Sequence, residues 1–488
     1  MNMSVLENLE PKKVFYYFEE ICQIPHGSGN LDAMSSYLET FAKDRGLFHI
    51  RDQANNIIIV KEAAAGYEDA EPIMLQGHMD MVAVKDNDCD IDLEKDALRL
   101  KVEGDYVYAE GTSLGGDDGI AVAYMLALLD ADDIPHPRIE AVITTDEETG
   151  LDGATAIDLS MLKAKRMINI DSEEEGILLT SCAGGVRTDC HLPVNLMDRP
   201  ADTVCIDVAV SGLLGGHSGT EINKERGNAI QLLGMTLQQL LNTIDFHIVE
   251  ISGGEKDNAI PTEAHAVVCV AKDRQSDFEK EVKRITEETK NEYKSKEKDL
   301  CISAVLYESG EMNVFDRKST DTIAAFLTTM PNGVMAMSAD IEGLVETSLN
   351  AGVLRYVHDE RNEVVISLAV RSAIDSAKRK VKLRLDTLTQ VFGGYTKAHG
   401  DYPGWQFNPD SKLRAHMLKI YKQMFGNDAK VEAIHAGLEC GIMISKVPGL
   451  DCVSYGPDIL DIHTTSEKLS ISSTERMWNY LLEILKQK

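Results

Sequence analysis

The chain has 488 residues, a formal net charge of −31 at pH 7, 43% apolar residues and 26% charged residues. This composition is typical of a soluble globular protein, and the length exceeds what one hydrophobic core usually supports, so we expect two domains. The acidic excess argues against a nucleic-acid-binding protein, which needs clustered lysine and arginine. The lack of a run of about eighteen apolar residues argues against a membrane protein.

The cysteines and the N-terminal segment indicate a compartment. Nine cysteines without paired short spacings argue against a disulfide framework and favour a reducing compartment. Residues 1–11 lack the basic region and apolar run of a signal peptide. We therefore expect a cytoplasmic protein.

Helix and strand patterns alternate over the first 185 residues. The spacing of apolar residues predicts amphipathic helices over 14–21 and 33–43, and an almost wholly apolar helix over 120–129 predicts burial. Short apolar runs predict strands at 57–60, 72–76, 139–144 and 166–170. This alternation predicts a largely parallel sheet that is covered by helices on both faces.

The pattern changes at about residue 186 and changes back at about residue 390. Between these points we predict an α+β domain, with strands at 204–210, at 264–270 and near Ile302 and Val364, and helices at 229–244, at 278–298 and near Ile323 and Leu383. Beyond it, a helix at 413–424, a strand at 452–455 and a helix at 475–486 are predicted. The predicted fold class is therefore α/β. A discontinuous domain (1–185 and 391–488) has a mostly parallel, mixed sheet flanked by helices, and an α+β domain (186–390) is inserted into it.

Three predicted strands of the first domain end at residues that commonly bind metals. His78 and Asp80 follow the strand at 72–76, the run Asp-Glu-Glu-Thr-Gly at 146–150 follows the strand at 139–144, and Asp171 follows the strand at 166–170. Ligands of open α/β sheets bind outside the carboxyl ends of the strands, so these side chains can converge on one site.

Two further segments carry similar residues. Gly-Gly-Asp-Asp-Gly at 115–119 precedes the buried helix, where the helix N-terminus favours a carboxylate, and His463 follows the strand at 452–455. Each feature alone has a more ordinary explanation: a surface histidine, a solvated pair of glutamates or an N-capping aspartate. Their convergence on one crevice is what predicts a metal site.

The charges of the carboxylates favour two metal ions over one. Asp117, Glu148 and Asp171 contribute −3, which two divalent ions and a bridging hydroxide would neutralise. Histidine and carboxylate ligands suit zinc, and cobalt or manganese could substitute.

These motifs resemble those of the co-catalytic metallopeptidases, a superfamily that includes carboxypeptidases, aminoacylases and dipeptidases. The resemblance rests on GHMD at 77–80, GGDDG at 115–119, DEETG at 146–150, NIDS at 169–172 and the late His463. Within the superfamily the chain looks most like the aminoacyl-histidine dipeptidases. The motifs typical of that branch are HMDMV at 78–82, TSLG at 112–115, DSEEEG at 171–176, YPGW at 402–405 and HAGLECG at 435–441.

The resemblance implies a metallo-dipeptidase that cleaves Xaa-His dipeptides, such as β-Ala-His, and other unblocked dipeptides. It implies the following roles: His78 and Asp171 for one metal, Glu148 and His463 for the other, Asp117 as the bridge, Glu147 as the general base for the attacking water, and Asp80 as the residue that orients His78.

The inserted domain would act as a lid over the site. The resemblance implies that His217, in Gly-Gly-His-Ser-Gly, stabilises the oxyanion and that Asn258 and Arg371 bind the substrate carboxylate. On the sequence alone, Arg371 could equally form a surface salt bridge. His435 and Glu439 are expected near the substrate pocket, without an assigned role.

Several alternatives stay open. Asp118 could compete with Asp117 for the bridging role. The chain could be an N-acyl amino acid deacylase of the same fold, a catalytically inactive metal-binding relative, or a thiol hydrolase built on Cys440 and His435. A homodimer through the lid is expected, with His217 acting in the neighbouring subunit's site, although a lid with a second half of its own could make the monomer self-sufficient.

Overall fold

The chain folds into two units, and the first of them is discontinuous in sequence. The computed structural model describes residues 5–308 and 312–487. The first unit comprises Met1–Ser181, Trp405–Ala433 and Leu438–Lys488, and the second comprises Cys182–Gly404 and Ile434–Gly437. The second unit continues beyond residue 390 because the strand Tyr395–Tyr402 pairs with its sheet.

The helices and strands follow in chain order. The first part of the first unit contains α1 (Lys12–Cys22), α2 (Asp32–Asp44), β1 (Phe48–Arg51), β2 (Ile57–Lys61), β3 (Ile73–His78), β4 (Leu100–Glu103), β5 (Tyr106–Ala109), α3 (Gly116–Asp130), β6 (Ile139–Thr144), α4 (Glu147–Gly150), α5 (Asp152–Ala156), β7 (Arg166–Asn169) and β8 (Ile177–Cys182). The second unit contains β9 (Gly184–Pro193), β10 (Leu196–Asp198), β11 (Thr203–Ser211), β12 (Gly216–His217), α6 (Ala229–Leu241), β13 (Phe246–Gly253), β14 (Ala259–Ile260), β15 (Ala264–Ala271), α7 (Gln275–Tyr293), β16 (Cys301–Tyr307), β17 (Asn313–Phe315), α8 (Arg317–Thr329), β18 (Gly333–Met337), β19 (Val345–Val357), β20 (Glu363–Ser372), α9 (Asp375–Val391) and β21 (Tyr395–Tyr402). The chain then returns with α10 (Lys412–Phe425), β22 (Lys430–Ile434), α11 (Glu439–Lys446), β23 (Asp451–Ser454), β24 (Ile459–Leu460), β25 (Lys468–Ser470) and α12 (Ile471–Lys486).

An eight-stranded mixed sheet forms the centre of the first unit. Its strand order is β1-β2-β6-β3-β7-β23-β8-β22. The central strands β6, β3, β7 and β23 run parallel, whereas β1, β2 and β8 pair antiparallel with their neighbours. The predicted fold class, with a mostly parallel mixed sheet flanked by helices, is confirmed.

The helix α3 is buried because nearly all of its side chains are apolar. Every residue from Ile120 to Leu129 is buried, as expected for a helix without a polar face. The amphipathic helix α1 packs against it, and Phe18 and Ile21 of α1 lie next to Gly119 of α3. This packing anchors the loop before α3, which carries the two aspartates predicted for the site.

The second unit is an α+β structure with its own sheet and its own core. Its main sheet has the strand order β16-β11-β15-β13-β19-β20-β9-β21, with β18 paired to β19. The helices α6, α7, α8 and α9 supply apolar residues to the core on this sheet. Cys205 on β11 and Cys269 on β15 face each other across the strand pair and form a disulfide, with their Cα atoms 4.3 Å apart. They are 64 residues apart in sequence, so no short cysteine spacing indicated this pair.

No helix within 5–308 or 312–487 combines the length and the apolar character that crossing a membrane would require.

Candidate metal centre and active site

Three neighbouring strand ends of the first unit carry the side chains predicted for the site. β3 ends at His78, β6 ends at Thr144, and β7 ends at Asn169, two residues before Asp171. The parallel register pairs His78 with Thr144 and Gln76 with Asn169. The ends therefore lie side by side at one edge of the sheet, where open α/β folds bind their ligands.

The Asp117 carboxylate lies between two histidines. Its Oδ1 is 3.2 Å from Nε2 of His78, and its Oδ2 is 3.1 Å from Nε2 of His463. Burial raises the pKa of Asp117, but the two histidines outweigh this effect and hold the pKa well below its usual range. An ionised carboxylate with one imidazole at each oxygen is the arrangement expected of a ligand shared by two cations.

Each of the two histidines also faces an outer carboxylate. Asp171 Oδ1 is 3.5 Å from His78 Nε2, and Glu148 Oε1 is 2.8 Å from His463 Nε2. Burial lowers the pKa of His78, yet its aspartate neighbours raise the pKa well above 6.5, and hydrogen bonds to carboxylates raise the pKa of His463 to about 10. The pocket therefore stabilises positive charge at both imidazoles.

The ligand atoms fall into three overlapping groups. Within each group they lie within 4.8 Å of one another: His78, Asp118 and Asp171; His78, Glu147 and Glu148; and Asp117, Glu148 and His463. Such mixed nitrogen and oxygen sets suit zinc, manganese or cobalt. The residues present thus fit divalent metal ions.

Asp80 connects His78 with the start of α4. Its Oδ1 is 3.5 Å from Nδ1 of His78, and its backbone oxygen is 3.0 Å from the same nitrogen. The carboxylate also accepts the backbone N–H groups of Glu147 at 3.1 Å and Glu148 at 3.4 Å, and the hydroxyl of Ser28 at 2.8 Å. One buried carboxylate can therefore orient the imidazole and the two glutamates together.

Glu147 differs in its surroundings from Asp117, whose pKa is lowered. Asp171 is more like Glu147, because burial raises the pKa of Asp171 to about 6. It starts α4 directly after Asp146, which has a φ of 51°. Burial raises the pKa of Glu147 well above 4.5, and the negative charges of Asp171, Glu439 and Glu148 add to this shift although His78 opposes it. A carboxylate with a raised pKa beside a metal site is suited to accept and return a proton.

Asp118 lies behind His78. Its Oδ2 accepts the backbone N–H of His78 at 3.1 Å, and its side chain is buried. Burial raises the pKa of Asp118 well above 3.8. A carboxylate oxygen of Asp118 lies within 4.8 Å of the ligand atoms of His78 and Asp171. Asp117, in contrast, faces both His78 and His463.

Glu439 belongs to a buried network that joins three strand ends. Its Oε2 accepts the hydroxyl of Thr144 at 2.6 Å and the amide N–H of Gln76, whose own Oε1 accepts the side-chain N–H of Asn169 at 2.7 Å. Its Oε1 is buried, without a hydrogen-bond partner in the described part of the chain, and burial raises the pKa of Glu439 to about 7. Its predicted contact with substrate stays a prediction.

The sequence pattern predicts no role for Glu467. Its carboxylate is buried and accepts four consecutive backbone N–H groups, those of residues 114–117. The only sequence signal is its place four residues after His463, which does not reveal a partner 350 residues earlier in the chain.

The second unit brings His217 and Asn258 onto neighbouring segments. β12, which ends at His217, pairs antiparallel with β14, and the backbone oxygen of Asn258 accepts the N–H of Ser218 at 2.8 Å. The N–H of Thr220 donates to His217 Nδ1 at 3.1 Å. Burial and nearby Arg371 lower the pKa of His217 below 6.5, which favours the neutral ring.

Arg371 and His435 also belong to this unit. Arg371 donates from Nη1 to the hydroxyl of Tyr402 at 3.2 Å. Its Nε is buried without a hydrogen-bond partner, and no carboxylate of residues 5–308 and 312–487 lies within ion-pair distance of it. A surface salt bridge is therefore not what holds this arginine. His435 Nε2 lies 2.7 Å from Ser348 Oγ, and burial together with Arg371 lowers the pKa of His435 to about 3.

The chain belongs to the peptidase family M20/M25/M40, whose family model matches residues 74–487. The cytosol non-specific dipeptidase of Escherichia coli K12 is 39% identical over 99% of this chain and 99% of that protein. Among solved structures, the aminoacylhistidine dipeptidase from Vibrio alginolyticus superposes with a TM-score of 0.92 at 35% identity, over 99% of this chain and 97% of that chain. The aminopeptidase PepT from Bacillus cereus, with a TM-score of 0.55 at 15% identity and 98% coverage of both chains, shares the fold. The resemblance predicted from the motifs is confirmed, and the chain is a peptide hydrolase.

Proposed function

We propose that this protein is a metallo-dipeptidase that hydrolyses the peptide bond of unblocked dipeptides with two divalent metal ions, zinc being the expected metal. One observation carries the proposal: the two oxygens of Asp117 each face the Nε2 atom of a different histidine, at 3.2 and 3.1 Å. A shared carboxylate with a nitrogen ligand on either side is the core of a two-metal site.

The remaining ligands follow from the carboxylates around that core. His78 and Asp171 would hold one ion, and Glu148 and His463 would hold the other, with Asp117 between them. Asp118 is less suited to be the bridge, because its Oδ2 is engaged by the backbone of His78 and its high pKa favours the protonated form.

When bound, the two ions supply Lewis acidity, which lowers the pKa of a water and stabilises negative charge on the carbonyl oxygen. Glu147 takes the proton of the attacking water and returns it to the leaving amine. Asp80 accepts the backbone N–H of Glu147 and also faces the imidazole of His78, so it fixes the position of the base relative to His78.

The substrate is proposed from the relatives and from the second unit. One relative is called a non-specific dipeptidase and the other an aminoacylhistidine dipeptidase. We therefore propose Xaa-His dipeptides, such as β-Ala-His, together with other unblocked dipeptides. Arg371 and Asn258 would bind the carboxylate of the dipeptide, and neutral His217 would donate to the oxyanion.

Two alternatives are less well supported, and a third needs a substrate test. An inactive relative would lack the base or a ligand, whereas this chain retains all six. A thiol hydrolase would need a reactive Cys440, but burial raises the pKa of that thiol well above 9. A deacylase of N-acyl amino acids would share the metal centre, so only substrate tests separate it from a dipeptidase.

The test is hydrolysis of β-Ala-His, Gly-His, Ala-Ala, Leu-Gly, a tripeptide and acetyl-Met, each with zinc, manganese or EDTA. We expect metal-dependent cleavage of the unblocked dipeptides and no cleavage in EDTA. Cleavage of acetyl-Met alone would make the protein a deacylase. No cleavage with any metal, while metal is bound, would identify an inactive relative.

We further propose a cytoplasmic location and a homodimer formed through the second unit. The name of the Escherichia coli relative supports the location. Light scattering on the purified protein tests the dimer, since a 53.8 kDa chain would give twice that mass. A monomer with full activity would favour the self-sufficient alternative.

A further inference from the structure

Glu467 lies in the loop that carries His463, between β24 and β25. Only 3% of the surface of Glu467 is exposed, although glutamate is among the residues that are rarely buried without a partner. None of the three metal-ligand groups formed by the described residues contains it. Its burial therefore calls for an explanation other than direct ligation.

The partners of Glu467 are four backbone N–H groups. Oε2 accepts those of Leu114 at 2.8 Å and Gly115 at 3.1 Å, and Oε1 accepts those of Gly116 at 2.8 Å and Asp117 at 3.3 Å. Consecutive N–H groups that converge on one point form an anion-binding concavity, and hydrogen bonds to a charged acceptor are the strong ones. The carboxylate of Glu467 occupies this concavity.

The backbone of the 114–117 loop is shaped for this contact. Gly115 has a φ of +69°, a conformation that L side chains rarely adopt, and a Cβ on Gly116 would lie 3.3 Å from Oε1 of Glu467. The glycines thus let the four N–H groups turn towards one carboxylate. The last of the four belongs to Asp117, whose side chain faces both histidines.

Glu467 therefore joins the two segments that meet at the metal centre. Its backbone is four residues from His463, and its carboxylate holds the backbone of Asp117. The Oδ2 atom of Asp117 and the Nε2 atom of His463 are 3.1 Å apart, a distance that depends on how these two loops are fixed to each other.

We propose that Glu467 is a positioning residue of the metal centre: by binding the N–H groups of residues 114–117, it sets the bridging carboxylate at the correct distance from His463. This inference rests on the proposed two-metal function. It assigns to Glu467 an effect on the ion that Glu148 and His463 hold, without contact between Glu467 and that ion. Partners of this kind commonly change metal affinity by about 10- to 100-fold when they are removed.

The test uses Glu467→Gln, Glu467→Asp and the control Glu475→Gln, an exposed glutamate on α12 of the same segment. Glutamine keeps the size of the side chain but turns an N–H₂ group towards backbone donors and removes the charge. Aspartate keeps the charge but cannot reach as far. Each metal-free protein is titrated with cobalt, and binding is followed by calorimetry and by the visible absorption of bound cobalt, which reports its ligand geometry.

We expect the parent and Glu475→Gln to bind two cobalt ions. Glu467→Gln should bind one ion normally and the second about tenfold or more weakly, with an altered absorption of the second ion, and Glu467→Asp should lie between. Two ions bound by folded Glu467→Gln with the affinity and spectrum of the parent would overturn the inference. If Glu467→Gln does not fold, parent-like binding by Glu467→Asp would overturn it. A parent that binds fewer than two ions would instead overturn the proposed two-metal function.

Discussion

Asp117 and Glu147 carry the same chemical group in different surroundings. Two histidines hold the pKa of Asp117 well below its usual range, while burial raises the pKa of Glu147 well above its own. A carboxylate that stays ionised suits a metal ligand, and one that gains a proton readily suits a general base. Their environments thus support the two roles proposed for these two residues, which the sequence predicts only through a resemblance.

Replacing Glu147 by glutamine should abolish most of the turnover and leave the metals in place. The change removes proton transfer, which typically contributes about 10²- to 10⁴-fold, while the ligands around Asp117 stay intact. We expect a fall in kcat of that size with two metal ions per chain by elemental analysis. Glu174→Gln, an exposed glutamate nearby in sequence to Asp171, is the matched control. Parent-like turnover in Glu147→Gln would show that another group is the base.

His435 should make the second unit less stable in acid. Burial, with Arg371 nearby, lowers the pKa of His435 from 6.5 to about 3, so the unfolded chain binds a proton that the folded chain does not. The stability that His435 contributes is therefore complete above pH 6.5 and is lost as the pH falls towards 3, by about 2 kcal/mol at pH 5. His435→Gln, which can still bond Ser348, should show a smaller loss of stability between pH 8 and pH 5 in urea unfolding. Equal losses in the two proteins would contradict the assigned environment.

At the scale of elements, the strand β3 and the helix α3 approach each other at Gly77. A Cβ at this position would overlap Oδ2 of Asp118 and lie 2.7 Å from Cβ of Ala121. The close contact places the backbone of His78 against the loop that carries Asp117 and Asp118. Position 77 therefore needs glycine because a larger side chain would clash with α3, and not because of its backbone conformation.

Gly77→Ala should destabilise the first unit by about 1–3 kcal/mol, the usual cost of overpacking, and should weaken metal binding because His78 would shift. Urea unfolding and a zinc titration measure the two effects. Gly119→Ala is the matched control on α3, since the atoms nearest to its Cβ would be side-chain carbons of α1, the closest at 3.3 Å. If Gly77→Ala unfolds at the same urea concentration as the parent, β3 and α3 can move apart without loss of stability, which would contradict this explanation.

The strands that carry the site could be predicted, because each is a short apolar run with a polar ligand at its end. The runs at 139–144 and 166–170 correspond to β6 and β7, and the apolar run at 120–129 lies within α3. The small sheet β24-β25-β5-β4 could not be predicted from the sequence, because its strands have only two to four residues. It also pairs Leu469 with Val107, which lie far apart in the sequence. The contacts of Glu467 were missed for the same reason: they depend on tertiary structure and not on local pattern.

At the scale of the whole molecule, one sheet is built from both ends of the chain. β23, from the last hundred residues, lies parallel beside β7 and pairs Ser454 with Asn169. His463 reaches the site only because this C-terminal part returns to the first unit. The change of pattern along the sequence indicated such an insertion, while the number and order of strands in each sheet became known only from the structure.

Both histidines of the centre face carboxylates, which raise their pKa values. Bound metal should therefore displace protons and stabilise the first unit. We expect the Tm of that unit to fall on addition of EDTA and to recover with zinc or cobalt. His78→Ala should show little change in Tm between EDTA and zinc. A difference in Tm as large as that of the parent would show that His78 is not a metal ligand.

The two-metal centre is tested most directly by titrating the metal-free protein with zinc while the hydrolysis of Ala-Ala is followed. We expect no turnover without metal and a rise that reaches its maximum at two ions per chain, with no hydrolysis of acetyl-Met. Turnover that is independent of metal, or that is complete at one ion, would contradict the two-metal centre around Asp117.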